Sequence, residues 1–197
     1  MVGEPLESVR EVLHTIGKDL KADPYALESV RLSVTVYAGR TQILVPPTSP
    51  ADFKPPALPV GGGSRLGEAL RHLADEIERQ TIETDAPANW KPMVFVLTDA
   101  ISSDDVASAL TQWRERPAGK SEMIVVLFGS GERASVFRTV TDRIYRFDRT
   151  DPGAYKNLFR WISKSLRNLS GDQPQSIEVH ALPPATIVAP YAQSPEP

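Results

Sequence analysis

The chain has 197 residues, enough for one substantial hydrophobic core and a shorter extension. It is 41% hydrophobic and 24% charged, as in ordinary soluble globular proteins, and its formal net charge of -3 argues against binding to nucleic acid or to an anionic membrane. Because cysteine is absent, disulfides, thiolate zinc sites and a cysteine nucleophile are excluded. The sequence has no apolar run of membrane-spanning length and no leader before its first helix, which predicts a cytoplasmic protein.

The first third of the sequence predicts a helix and then an antiparallel hairpin. Pro5 suits a first helical turn, the pair Asp23-Pro24 ends the helix, and apolar residues recur between them at helical spacing: Leu6, Val9, Leu13, Ile16 and Leu20. Residues 32–37 and 41–45 are typical of strands, and the short turn between them requires antiparallel pairing. The proline-rich segment 46–59 is predicted to be a stiff connection rather than a polyproline ligand.

Three consecutive glycines, Gly61 to Gly63, precede Ser64 at the start of a second predicted helix. Such glycines permit close backbone approach, Ser64 is a good N-cap residue, and a helix N-terminus attracts anions. The pattern is not a phosphate-binding loop, because no Gly-Lys-Ser/Thr follows. It is not a dinucleotide-binding fingerprint either, because Leu66 stands where the third glycine belongs.

A short apolar run from Met93 to Leu97 predicts a strand buried on both faces, and it stops at Thr98-Asp99. An acid at the end of such a strand lies at the carboxyl edge of the sheet, where open α/β folds keep their binding sites. A helical stripe that contains Trp113 follows, with Ser103 or Asp104 as the predicted cap. Asp104 and Asp105 are interpreted as helix caps, with support of a nearby metal ion as the alternative.

The remaining elements complete an alternating pattern. Residues 122–128 predict another buried strand, 134–140 a short helix, 144–147 a short edge strand and 151–171 a last helix. Segment 176–182 has strand character, and 183–197 is predicted to be disordered. We therefore expect one α/β domain over residues 1–172, with a three-layer, doubly wound, mostly parallel sheet and one antiparallel edge strand, followed by a proline-rich extension over 173–197.

Three stretches together resemble the von Willebrand factor A (VWA) domain, in particular its bacterial TerY-like branch: GEPLESV at 3–9, DPYALESVRLSVTVY at 23–37, and GGSRLGEAL through WKPMVFVLTDAISSDD at 62–105. The order and spacing fit over nearly all of residues 3–168. The resemblance implies a metal-ion-dependent adhesion site, in which three loops at the carboxyl edge hold Mg²⁺ or Mn²⁺. These loops supply Asp-x-Ser-x-Ser, a Thr and an Asp, oxygen ligands that suit small hard cations.

The match to that metal site is partial. Asp99 matches the third ligand position, Ser64 replaces the usual Thr, and Gly62, Gly63 and Asp104 are the implied binding residues around them. The Asp-x-Ser-x-Ser motif and the central strand before it are missing, so weak metal binding is expected. Either the start codon is misassigned or the chain truly lacks the strand. We favour the first, because neighbouring strands would otherwise be left unpaired unless they pair directly or a partner donates a strand.

The resemblance implies a non-enzymatic protein-interaction module in a bacterial response to tellurite and chemical stress, with a kinase or phosphatase among its partners. One alternative is a phosphorylation target in that relay, with Ser64, Ser102 or Ser103 as acceptor beside a helix N-terminus. Another is a metal-dependent hydrolase, for which the sequence names no general base. The three histidines lack metal-ligand spacing and are interpreted as structural or surface residues.

Overall fold

A computed structural model describes residues 4–83, 92–128 and 134–147. Contacts within the chain define two compact units. The first contains the described residues up to Val36 together with Ile43–Gly61, and the second contains Tyr37–Gln42 and the described residues from Gly62 onward. None of the described helices combines the length and the apolar character needed to cross a membrane.

The first unit is built on helix α1, Glu4–Lys21, which is followed by the short helix α2, Pro24–Ser29. The predicted apolar stripe of α1 is buried at Leu6, Val9, Ile16 and Leu20. Phe53 of the proline-rich segment is only 2% exposed and packs so tightly that a Cβ on Gly17 would lie 2.8 Å from its ring. Arg10 donates to the carbonyl of Leu58 at 3.2 Å, so the proline-rich segment is part of this core.

Strands β1, Leu32–Ala38, and β2, Arg40–Thr48, form the predicted hairpin as a two-stranded sheet. Gly39 makes the turn with a φ of 72°, a conformation that glycine adopts without strain. The prediction that the strand ends at Val45 is wrong, because β2 continues through two prolines to Thr48. Proline is tolerated in this hairpin because an edge strand does not need every backbone donor.

The second unit contains a parallel sheet in the order β3-β4-β5, made of Met93–Thr98, Glu122–Phe128 and Ile144–Phe147. Met93 pairs with Glu122 and Val125 with Ile144. The helices of this unit are α3, Leu66–Glu83, and α4, Val106–Glu115, with 3₁₀ turns at Pro117–Lys120 and Ala134–Thr139. Their shared core includes Leu70, Leu110, Trp113, Val125, Leu127 and Phe137.

An arginine immediately after α4 links that helix to α3. Arg116 donates to both carboxylate oxygens of Glu78, at 2.7 and 2.8 Å, and to Asp75 at 2.6 Å. The hydrogen bond from Arg116 holds the pKa of Glu78 below its usual value. This pairing ties the end of α4 to α3.

The predicted mixed α/β character is confirmed, with three parallel strands and an antiparallel pair. Among the described residues the hairpin and the parallel strands form two sheets rather than one, and the missing central strand stays a prediction. Helix α2 and the turn Pro117–Lys120 were not predicted. The predictions for 151–171, 176–182 and the extension 173–197 lie outside the described residues.

Candidate functional site

The chain turns sharply where β3 ends, and this turn carries Asp99. The amide of Ala100 donates to the hydroxyl of Thr98 at 3.0 Å, and the amide of Ile101 donates to the Asp99 carboxylate at 3.2 Å. Ala100 has a φ of 59°, which costs an L-residue about 1–2 kcal/mol. The side chain of Ile101 is 67% exposed, so an apolar residue projects beside Asp99 at the carboxyl edge.

A tyrosine from the hairpin lies against this turn. The Tyr37 hydroxyl donates to the carbonyl of Leu97 at 2.7 Å and is hydrogen-bonded by the side chain of Thr98, which is 1% exposed. Burial raises the pKa of Tyr37 to about 12; the bond from Thr98 opposes this rise, and the negative charge of Asp99 adds to it. A negative charge on the Tyr37 oxygen would therefore be repelled by Asp99. Sequence reasoning missed this residue, since nothing local distinguishes it from any strand tyrosine.

The hairpin tip also contacts the glycine segment. The amide of Gly39 donates to the carbonyl of Gly63 at 2.7 Å, and Ala38 forms an isolated antiparallel bridge with Ser64. Gly62 has a φ of 90°, and a Cβ at that position would lie 2.5 Å from the Gly39 nitrogen. The close backbone approach predicted from the glycines is thus found, and what approaches is the turn of the hairpin.

Ser64 connects the glycine segment to the loop after β3 through its backbone. Its carbonyl accepts from the Ser103 amide at 2.9 Å and from the Ser103 hydroxyl at 2.7 Å, and the Ser102 hydroxyl lies 3.2 Å away. Its own hydroxyl oxygen is buried and has no hydrogen-bond partner among the described residues. The prediction that Ser64 caps α3 is therefore wrong, because its side chain accepts from no helix amide.

The cap of α3 comes instead from the loop after β3. The Asp104 carboxylate accepts from the amides of Gly67 at 3.0 Å and Glu68 at 2.7 Å and from the Ser102 hydroxyl at 2.6 Å. The Ser102 oxygen accepts from the Leu66 amide at 3.0 Å. Burial alone would raise the pKa of Asp104, but these hydrogen bonds outweigh it and hold the pKa below its usual value.

The neighbouring acid caps the other helix. Asp105 precedes α4 and accepts from the Ser108 amide at 2.9 Å, so the prediction of Ser103 or Asp104 as the α4 cap is wrong. Gly67 allows the two acids to approach α3, because a Cβ there would lie 2.7 Å from the Asp105 carbonyl oxygen. Sequence reasoning missed Gly67, although a glycine inside a helix, where it weakens the helix, is a usable signal of close contact.

The two predicted metal ligands therefore lie on loops that are joined to each other at the carbonyl of Ser64. The described residues contain no group of three or more acids or histidines that would hold a metal ion by themselves. The chemistry nevertheless fits a weak site for a hard cation, because the Ser64 hydroxyl oxygen is unpartnered and Asp99 uses one carboxylate oxygen for the Ile101 amide. A small cation with few protein ligands keeps several waters.

No family model matches the sequence, and no curated protein matches it. Solved structures do resemble the chain. One is a structure of proximal thread matrix protein 1 from the mussel byssus, with a TM-score of 0.55 and 13% identity. The match covers 85% of this chain and 42% of the mussel chain. BatB from Bacteroides thetaiotaomicron has a TM-score of 0.50 and 16% identity, with coverages of 81% and 87%. The fold is VWA-like.

Manganese-loaded TRAP protein from Plasmodium vivax is similar at a TM-score of 0.48 and 12% identity, over 80% of this chain and 68% of that one. The likenesses to the mussel protein and to BatB, at identities of 13% and 16%, extend to the fold alone. The chain spans less than half of the mussel protein that it matches.

Proposed function

We propose that this chain is a non-enzymatic VWA-type interaction module that binds a partner protein through the loops at the carboxyl edge of its parallel sheet. Ser64 and Asp99 are the protein ligands of a divalent cation in this proposal. The setting in a bacterial tellurite or chemical stress response, a kinase or phosphatase partner and the cytoplasmic location belong to the same proposal and rest on the resemblance to TerY-like domains.

One observation carries the proposal: the buried hydroxyl oxygen of Ser64 has no partner among the described residues, at the point where the two edge loops meet. A buried polar atom without a hydrogen bond costs about 1–3 kcal/mol, and an oxygen that serves as a ligand explains such a cost. Asp99 contributes the negative charge, and Ile101 offers exposed apolar surface beside it.

Ser64 and Asp99 would hold the cation, which when bound supplies a Lewis-acidic position for a carboxylate of the partner. The hydroxyl of Ser64 is neutral, so the ion would keep most of its charge for that partner group. Asp99 is held toward the edge by its hydrogen bond from the Ile101 amide. The described ligands are few, and we therefore expect weak binding in the absence of the partner.

The test is calorimetric titration of the chain with Mn²⁺ and with Mg²⁺. Asp99→Asn and Ser64→Ala are expected to weaken binding at least about tenfold, because each removes one ligand oxygen or its charge. Asp52→Asn is the matched control, since Asp52 is an exposed acid of the first unit. No metal-dependent heat in the unaltered chain, or equal binding by all variants, would overturn the assignment.

The interaction itself is tested with a short peptide that carries one glutamate, added to the Mn²⁺-saturated chain. We expect the glutamate peptide to bind much more tightly than the glutamine version, because a charged carboxylate is a stronger ligand for a hard cation than a neutral amide oxygen. Ile101→Ser is expected to reduce peptide binding while leaving Mn²⁺ affinity unchanged, since Ile101 offers apolar surface but no ligand. Binding of both peptides alike would remove the carboxylate from the proposal.

The phosphorylation alternative now centres on Ser103, which is exposed, whereas Ser64 and Ser102 are partly buried. At the start of α3 the amides that would attract a phosphate are already accepted by Ser102 and Asp104, whereas attraction to the start of α4 stays a prediction. Nearby acids would also repel a phosphate. Mass spectrometry after co-expression with a candidate kinase tests the alternative, and phosphate on Ser103 would support it.

The hydrolase alternative has no specific observation in its favour. A cavity of about 380 Å³ lies beside the loop after β3, and its described lining includes Asp104 and Asp105. Both carboxylates are engaged as helix caps, and a general base needs a lone pair that faces the substrate. This alternative stays a prediction.

A further inference from the structure

We propose that Tyr37 is a positioning residue of the edge site, and that its hydroxyl holds the turn that presents Asp99. This inference rests on the proposed function, in which Asp99 is a metal ligand. Tyr37 touches neither a metal nor a partner; it acts through Thr98 and the backbone of β3. The inference extends the site to the hairpin.

Two hydrogen bonds carry the argument, one from the Tyr37 hydroxyl to the Leu97 carbonyl and one from the Ala100 amide to the Thr98 hydroxyl. The proton of Tyr37 is donated to the Leu97 carbonyl at 2.7 Å, so the phenol oxygen is left as acceptor for the hydroxyl of Thr98. When Thr98 donates its single proton to Tyr37, the direction of that bond orients its lone pairs, one of which accepts the Ala100 amide at 3.0 Å. Each bond therefore orients the next, from the hairpin to the turn.

The turn needs this support because its backbone is strained. Ala100 has a φ of 59° without being glycine, at a cost of about 1–2 kcal/mol. A single hydrogen bond contributes about 0.5–1.5 kcal/mol, so the bond from Ala100 to Thr98 is of the size needed to offset the strain. If Thr98 lost its acceptor at Tyr37, its hydroxyl would reorient and the turn would lose part of that offset. Asp99 lies inside the turn and would move with it.

The same short tip also places the other predicted ligand. Ala38 pairs with Ser64, and Gly39 donates to the Gly63 carbonyl. One tip thus contacts both loops of the candidate site: the Ser64 loop through backbone bonds, and the Asp99 turn through Tyr37. These residues all belong to the second compact unit, although β1 and β2 otherwise belong to the first. The tip is therefore suited to set the spacing between the two ligands.

The first test compares Tyr37→Phe with Tyr145→Phe, a control on β5. Tyr37→Phe keeps the ring and removes only the hydroxyl, and we expect Mn²⁺ affinity to fall about tenfold while cooperative unfolding is retained. Thr98→Val is expected to act like Tyr37→Phe, whereas Thr98→Ser keeps the hydroxyl and the affinity. Unchanged affinity in both Tyr37→Phe and Thr98→Val would overturn the proposal.

A rescue experiment separates positioning from a general loss of stability. Ala100→Gly removes the side chain that opposes a positive φ, so the turn no longer depends on Thr98 as strongly. In the Tyr37→Phe background this change is expected to restore most of the lost Mn²⁺ affinity. A double variant that binds as weakly as Tyr37→Phe alone would refute the link between Tyr37 and the turn.

A metal-free measurement distinguishes failure of this inference from failure of the proposed function. The three-bond HN–Hα coupling of Ala100 reports its φ, and exchange of its amide reports the bond to Thr98. Both are expected to change in Tyr37→Phe and to stay as in the parent in Tyr145→Phe. If the parent chain binds no Mn²⁺ but these changes occur, the site assignment fails and the positioning role stands. If neither changes, the positioning role fails whatever the metal does.

Discussion

Replacing Asp104 by alanine is the sharpest test of how the edge loops are built. Asp104 follows β3 in the chain yet caps α3, with hydrogen bonds of 3.0 and 2.7 Å from the helix amides and 2.6 Å from Ser102. A helix cap contributes about 0.5–2 kcal/mol, and hydrogen bonds to charged groups lie near the upper end. Because one carboxylate serves two amides and a hydroxyl, we expect Asp104→Ala to lower the free energy of unfolding by about 2–3 kcal/mol.

The matched control is Asp105→Ala, which removes an ordinary cap with one bond, to the Ser108 amide. We expect it to cost about 1 kcal/mol. Urea unfolding at pH 7 gives both values from the midpoints, provided that the slope of the transition is unchanged. Hydrogen exchange shows which helix is affected, since Asp104→Ala should expose the first-turn amides of α3 and Asp105→Ala those of α4. Equal losses, or faster exchange in the wrong helix, would refute the assignment.

The pH dependence of the same variant gives an independent check. The pKa of Asp104 is held below its ordinary value of 3.8 in the folded state. A lowered carboxyl pKa stabilises the fold above the unfolded pKa and ceases to do so as the pH falls through the folded pKa. The stability difference between the parent and Asp104→Ala should therefore be full at pH 7 and shrink below about pH 4. A stability difference that stays constant to low pH would show that the charge of Asp104 does not contribute to stability.

Three further predictions follow from single contacts. The pKa of Tyr37 rises from 10.0 to about 12 on folding, so stability should fall as the pH rises through that window, by up to about 2.7 kcal/mol. In urea titrations this fall should be clearly smaller in Tyr37→Phe than in the parent; what remains is expected from Tyr145, whose pKa burial also raises. Gly62→Ala should cost about 1–3 kcal/mol more stability than Gly61→Ala, because both positions have a positive φ but only a Cβ at Gly62 would clash with backbone. Equal losses in thermal unfolding would show that this clash is unimportant. Arg116→Ala should lower the free energy of unfolding by about 1 kcal/mol in urea, and this loss should shrink at high salt because the ion pair of Arg116 with Glu78 is partly exposed. An unchanged loss at about 1 M salt would argue against an ionic cause.

The elements themselves could be predicted from the sequence because their signals are local. Glu122–Phe128 is a continuous apolar run, and every residue after Glu122 in it is buried. The helical stripe that contains Trp113 is buried as its spacing indicates. Each pattern depends on neighbours within two turns of helix or one strand, so the fold class follows without knowledge of distant contacts.

Of the candidate site, only the residues with a local chemical signal could be predicted from the sequence. Ser64 and Asp99 were placed at the edge by strand and helix boundaries and by family resemblance. The contact from Tyr37 to Leu97 joins residues 60 positions apart, and no periodicity reports it. The roles of Asp104 and Asp105 differ although they are adjacent and chemically alike. What separates them is the approach of α3 in three dimensions, and Gly67 is its only local trace.

Ser64 shows how one residue can serve both the architecture and the site. Its carbonyl accepts one hydrogen bond from the Ser103 amide and one from the Ser103 hydroxyl, and its backbone pairs with Ala38, so Ser64 itself takes part in this support only through its main-chain atoms. The side chain takes no part in this support, and its oxygen is left buried and unpartnered. Alanine at this position should therefore preserve the loop and even relieve the cost of an unsatisfied hydroxyl. The side chain of Ser64 is thus dispensable for folding, and its unpartnered oxygen is available to bind a ligand.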